Sequence, residues 1–433
     1  MTDLAPQTTP NDAVGLPARA AALDLLTAAL GGRAGMDEGL SHPALAALDG
    51  RDRAFARALV MATLRYLGPI DSALQAKVKK APPDKVVQIL RLGVAQAFVL
   101  KTPAHAAVTT SVDLVAQDKG LQMFKGLVNA VLRGLVREPP ELDDPELMAP
   151  SWLYMRWRAA FGAEAAQAVA AMIAQEPATD LSLKDPSQGP VLAGDLEAEM
   201  LPGGSLRTSR RGDIATWPGF AEGGWWVQDA AAAIPARLLG VQPGQSALDM
   251  CAAPGGKTLQ LAAAGAKVVA LDRSAVRLKR VAENLARVAL TAEVVAADAA
   301  TWPDRRSFDA VLLDAPCSAT GTFRRHPDVL WAAKPSDVAG LAAVQSKLLD
   351  AAARRTKSGG RLVYCVCSLE PEEGEGQVAA FLARTPGMSL DPVAADEGGA
   401  PAASVRPEGT LRILPHHLAA GLDGFYVARF RKA

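Results

Sequence analysis

The chain has 433 residues, with 46 Lys and Arg against 46 Asp and Glu and 49% hydrophobic residues. That length suits roughly two to four domains of about 100 to 200 residues, and the apolar share is that of a soluble globular protein rather than a disordered or fibrous one. Zero net charge excludes a global polybasic signal, so a nucleic-acid partner has to be met by local patches.

The opening segment MTDLAPQTTPNDAVGLP has neither the basic start nor the apolar centre of an export signal, and no apolar run approaches the roughly 18 residues that span a bilayer. Four cysteines without framework spacing fit a reducing compartment. The expectation is a cytoplasmic monomer with free thiols and no membrane partner.

Residues 1–17, rich in Pro, Thr and Asp, read as a flexible tail. Residues 18–140 carry helical periodicity: Leu121, Phe124, Val128, Val131 and Leu135 recur at steps of three and four and form one apolar stripe. In LDGRDRAFARALVMATLRYLG, Phe55, Leu59, Ala62 and Tyr66 share a helix face, with Arg53 and Arg57 roughly opposite, either as a solvated face or as an RNA contact. Residues 141–228 begin with the proline- and acid-rich linker REPPELDDPELMAPS and continue as a small α+β adaptor, including a helix near 163–173.

From Asp229, a helix N-cap candidate, to residue 433, short apolar runs alternate with helical patterns: SALDMCA, VVALDRS, EVVAADA, DAVLLDAP, RLVYCVCS and FYVARF. This alternation predicts an α/β doubly wound, Rossmann-like parallel sheet.

DMCAAPGGKTLQLA follows the first of these strands and opens a helix. Gly255 and Gly256 permit close backbone approach and the helix start offers free amides, which together make a cofactor site at the carboxyl edge of the sheet. A phosphate loop would need glycine where Cys251 stands. Asp272 ends the second strand, where an acid can grip a ribose, and Asp298 ends the third, within reach of an adenine amino group. Asp314 and Cys317 end the fourth and Cys367 the fifth, so a thiolate and a carboxylate converge beside the cofactor. Such a pair suits methylation at carbon 5 of a pyrimidine: thiolate addition at carbon 6 makes carbon 5 nucleophilic, while the acid hydrogen-bonds the ring nitrogen that gains electron density.

DMCAAPGGKT, LLDAPCSATGTFRRHPD and CVCSLEPEEGE closely resemble the RsmB (Sun/Fmu-type) family of ribosomal-RNA cytosine-5 methyltransferases. LDGRDRAFARALV, LRLGVAQ and VNAVLR look like the helical NusB-type RNA-binding domain found in that family. The likeness runs from about Ala18 to the C-terminus. It implies that S-adenosylmethionine is held by Cys251, Ala252, Ala253, Pro254, Gly255, Gly256 and Lys257, with Asp272, Asp298 and Asp314 completing the site. It also implies that Cys367 is the nucleophile and that Cys317 assists product release. The expected partner is RNA, most simply small-subunit (16S) ribosomal RNA, with no metal.

Two departures stand out. Val366 occupies the family's threonine position beside the extra thiol Cys365, and LSLKD replaces an Arg-x-Asn pattern in the adaptor. Rival readings are a four-thiolate zinc site, a DNA cytosine-5 methyltransferase with the Pro-Cys thiol as nucleophile, and a non-catalytic RNA-binding assembly factor. The cysteines lack the close pairing usual for zinc, and Cys367 together with the helical domain speaks against the DNA enzyme. Intact Asp314, Cys317 and Cys367 speak against loss of catalysis. Arg324 and Arg325 are read as phosphate contacts or surface charge, His326 as a structural residue and Cys365 as a small buried hydrophobe.

Overall fold

The computed structural model describes residues 15–31 and 43–433. They divide into two compact units, one drawn from residues up to 155 with 166–174 and 326–332, the other from 156–165, 175–325 and 333–433.

The first unit is all helical. Helix Gly50–Arg65 starts at Asp49, whose carboxylate accepts the Asp52 amide at 2.8 Å, and it buries Ala56, Leu59, Val60 and Leu64. Helices Asp84–Val94, Ala104–Gln117 and Lys125–Arg137 meet at Gly93, where a Cβ would lie 2.7 Å from Leu132 and 2.8 Å from the Ser111 hydroxyl. The glycine of LRLGVAQ is therefore required by close packing. The stripe predicted from Leu121 is helical only from Lys125; Leu121 and Phe124 belong to the 3₁₀ turn before it. The proposed tail lies mostly outside the described residues, and the first helix, Leu16–Leu30, already includes Pro17, whose ring is tolerated in the first turn. The short helix Asp328–Ala332 also belongs here: the Trp331 indole donates to the Leu64 carbonyl at 3.0 Å.

The second unit holds two sheets. The smaller is antiparallel in the order β2-β3-β1-β4, from Thr179–Leu183 (β1), Ala198–Met200 (β2), Leu206–Thr208 (β3) and Trp225–Val227 (β4). Within it Arg207 grips Asp180 with two bonds of 2.6 and 2.7 Å, and Asp180 also accepts the Ala230 amide. Ser182 of LSLKD is buried on β1.

The larger sheet has the order β10-β12-β9-β8-β5-β6-β7, with β11 on β12. Its strands are Ser246–Met250 (β5), Lys267–Asp272 (β6), Glu293–Ala296 (β7), Phe308–Asp314 (β8), Thr356–Val366 (β9), Met388–Leu390 (β10), Leu411–Ile413 (β11) and Phe425–Lys432 (β12). Strands β5 to β9 run parallel, and the apolar run of β8 is buried from Ala310 to Leu313 between clusters on the two sheet faces. FYVARF departs from the all-parallel expectation. As β12 it lies antiparallel to β9, β10 and β11, so the sheet is mixed. Asp229 caps helix Ala230–Leu239, accepting the Ala231 amide at 2.9 Å.

Candidate active site

β5 sits between β6 and β8, where the strand order reverses and the loops leaving the carboxyl ends diverge. The loop after Met250 turns at Cys251 (φ 63°) and reaches helix Gly256–Ala263 through Gly255 (φ 108°). A Cβ on Gly255 would meet Val281, and one on Gly256 would meet Gln228, each at 3.3 Å. Sequence had offered ligand approach as the reason for these glycines; packing beneath the loop is a second one.

Asp249 is buried below the loop. One oxygen accepts the Thr258 hydroxyl at 2.6 Å, the other has no hydrogen-bond partner, and burial pushes its pKa up to about 7. Asp272 is 3% exposed and accepts the Ala253 and Ser274 amides at 3.2 and 2.9 Å. It thus braces the loop and retains further acceptor capacity. Asp298 is exposed and accepts the Ala300 amide.

Asp314 pairs with Lys257 at 2.7 Å and receives the Cys365 thiol at 3.4 Å on its other oxygen. Burial is the largest effect and opposes the Lys257 charge, but Asp314, Cys365 and Asp249 together outweigh it and raise the lysine pKa. Lys257 therefore has a polar partner among the predicted site residues, beyond its place in the loop.

The two principal thiols come together: Cys317 Sγ lies 3.4 Å from Cys367 Sγ. Parallel pairing aligns Asp314 with Cys365, which puts the residues following each strand side by side. The hydrogen bond to Cys367, then burial, raises the Cys317 pKa well above the usual thiol value. Cys365 is fully buried, and burial followed by Asp314 pushes its thiol up. Val366 is also fully buried in the apolar cluster with Tyr364 and Phe381, an environment that suits valine at this position.

Sequence reasoning missed Glu373. Its carboxylate is 0% exposed and gathers bonds from Ser318, Ser368 and Gln345 around the thiol pair.

The arginines separate. Arg324 is not a surface group: it is 1% exposed, donates to the Ala420 carbonyl at 2.8 Å, and its guanidinium covers Gly421, where a Cβ would lie 2.4 Å from its Cζ. Burial against this loop corrects its reading as a phosphate contact. Arg325 pairs with buried Asp423. Arg53 and Arg57 are exposed, and Arg53 donates to the Leu45 and Leu48 carbonyls at 3.2 and 2.9 Å. Among the described residues no group of three or more His, Cys, Asp or Glu could hold a metal ion, and no helix is long and apolar enough to cross a membrane.

Residues 236–431 match the model of the 16S rRNA methyltransferase RsmB/F family, and residues 16–137 match the NusB family. The ribosomal RNA small subunit methyltransferase B of Pseudomonas putida is 40% identical over 96% of this chain and 98% of its own length. That of Pseudomonas syringae pv. tomato is 38% identical over 96% of both. The crystal structure of PH0851 superposes with a TM-score of 0.78 at 24% identity, covering 98% of this chain and 99% of that one. NSun6 from Pyrococcus horikoshii, solved with SFG, gives 0.57 at 20% identity over 65% and 98% of the two chains. Both structures share the fold. With nearly full-length relatives at this identity and both domain models in place, the chain belongs to the RsmB/F family of 16S rRNA methyltransferases.

Proposed function

We propose that the protein methylates carbon 5 of a cytosine in small-subunit ribosomal RNA through a covalent Cys367 adduct. The observation that carries this reading is the 3.4 Å approach of Cys317 and Cys367 at the strand ends, beside the Asp314–Lys257 pair. The full-length relatives named for small-subunit ribosomal RNA support the substrate class.

The unpartnered, buried Asp249 oxygen beneath the glycine loop, with Asp298 exposed and Asp272 able to accept further bonds, fits a polar cofactor. Cys251 to Lys257, Asp272, Asp298 and Asp314 are the residues that hold S-adenosylmethionine, which supplies an electrophilic methyl group. The target cytosine has to be unstacked, because neither ring carbon is reachable within a helix. The Cys367 thiolate then bonds to carbon 6, while Asp314, with Lys257 on its other oxygen, serves the ring nitrogen that gains electron density. After methylation the carbon 5 proton leaves, the electron pair of that C–H bond re-forms the double bond, and the bond from carbon 6 to sulfur breaks. Cys317 assists this second half. Exposed Arg53 and Arg57 dock RNA on the helical unit, and Arg325 stands by the active-site loop as a further phosphate contact.

Denaturing gels with labelled RNA test the division of labour. Cys367→Ala should give no adduct, and Cys317→Ala should accumulate a denaturation-resistant one. A trapped complex with Cys367→Ala would reverse the roles.

A further inference from the structure

Cys317 and Cys367 are held by unequal means. Cys367 follows β9, which is paired on both sides by β8 and β12, and its carbonyl accepts the Gly321 amide at 3.0 Å. Cys317 lies on the irregular stretch between Asp314 and the turn at Thr320. The ends of that stretch are fixed by the Ala315 amide on the Cys365 carbonyl and the Gly321 amide on the Cys367 carbonyl, each at 3.0 Å, and between them its side-chain anchors converge on one carboxylate. Glu373 accepts the Ser318 amide at 3.0 and 3.2 Å on its two oxygens, and also the Ser318 hydroxyl. It accepts the Ser368 hydroxyl at 2.5 Å, and the Gln345 amide at 3.0 Å. Gln345 donates in turn to the Pro316 carbonyl at 2.9 Å. The residues flanking Cys317 and the residue following Cys367 are thus tied to the same buried group.

No lysine or arginine pairs with Glu373 among the described residues; hydrogen bonds alone compensate its burial. A glutamate kept fully buried without a cation is costly unless those bonds are needed. The geometry points to Glu373 as a positioning residue that fixes Cys317 against Cys367 and thereby governs release of the methylated product more than attack on the base. This rests on the covalent reading above. Cys367 keeps its strand pairing when the carboxylate is lost, whereas the stretch around Cys317, still fixed at Ala315 and Gly321, loses the group that holds its neighbour Ser318. Supporting groups of this kind set a reactive group within fractions of an ångström of its productive place.

Two measurements on the full chain test it. In the first, without RNA, N-ethylmaleimide labelling of each cysteine is followed by mass spectrometry in the parent, Glu373→Gln and Glu373→Ala. Glutamine keeps the shape but cannot accept at its nitrogen, so it serves if the alanine variant does not fold. Cys317 should label at least fivefold faster than in the parent, and Cys367 should change less than twofold; an unchanged Cys317 rate overturns the proposal whatever the reaction chemistry proves to be.

In the second, adduct formation and decay are timed on labelled RNA. Formation should stay within threefold of the parent, and decay should slow at least tenfold. The double variant Cys317→Ala with Glu373→Gln should decay no more slowly than Cys317→Ala alone, because the glutamate acts through that cysteine. Equal slowing of both phases, or multiplied effects in the double variant, would leave Glu373 a merely structural residue. Absence of any adduct with Cys317→Ala would count against the covalent mechanism itself, and the labelling rates would then decide the role of Glu373.

Discussion

Cys251, Cys317 and Cys365 share a physical circumstance: each stands beside a carboxylate or another sulfur, Cys365 fully buried and the other two half-buried. For Cys251 burial and then Asp314 push the thiol up to about 12, for Cys365 the same two causes act, and for Cys317 the hydrogen bond to Cys367 leads. The bond to Cys367 and burial thus both favour the neutral Cys317 thiol, 3.4 Å from the other sulfur. Asp249 offers a separate pH test. Its folded-state pKa, raised to about 7 from 3.8 by burial, means that the stability carried by its protonated form is fully present below about pH 3.8 and is lost as pH rises through 7. Asp249→Asn stays neutral and can still accept from Thr258. Its melting temperature should accordingly gain on the parent between pH 5 and 8, by the equivalent of about 3 kcal/mol at roughly 1.4 kcal/mol per pKa unit. A pH-independent difference would contradict the assignment.

At the scale of elements, β5, β6, β8 and the second half of β9 were legible because each carries a short apolar run that the sheet buries, whereas β7, largely exposed, was legible only through its place in the alternation of strands and helices. The direction of β12 was not, since FYVARF has the same composition whether it runs parallel or antiparallel. The site's thiols and acids carried their own signal in motifs. Glu373 did not: in PEEGE it reads as surface charge, and only its burial sets it apart from Glu372. Adjacent Arg324 and Arg325 could not be told apart either, because the partner that buries the first, Ala420, is 96 residues away.

Helix Gly50–Arg65 gives a cleaner case. Arg57 and Arg53 are both exposed, but Arg53 also bonds the carbonyls of Leu45 and Leu48. Arg57→Gln should lower the salt slope of RNA binding by about one unit without changing thermal stability. Arg53→Gln should do both, losing about 1 kcal/mol with its two bonds. Salt titrations of binding paired with melting curves separate the two, and an unchanged slope for Arg57→Gln would leave it as solvated charge.

For the molecule as a whole, continuity of sequence and compactness of structure diverge. The chain passes between the two units after residues 155, 165, 174, 325 and 332. Trp331, far along the sequence from the other helices, contributes an indole to the helical core and caps the Leu64 carbonyl. Trp331→Ala should loosen that unit by about 2 to 3 kcal/mol, at the low end for a tryptophan because it is only half-buried. Hydrogen exchange should register the loss in helices Leu16–Leu30 and Gly50–Arg65 and leave the β5–β9 amides protected; uniform loss throughout would mean the effect is not local.

The placement of residues 326–332 also sets an order in time. Synthesis runs from the N-terminus, so the helices up to residue 137 leave the ribosome before the segment that completes their core has been made. Residues 175–325 are translated in between, which takes roughly 8 to 30 s at about 5 to 20 residues per second. Throughout that interval the nascent helical unit lacks Trp331, and the surface that Trp331 will cover is open to chaperones and to neighbouring chains emerging from the same message.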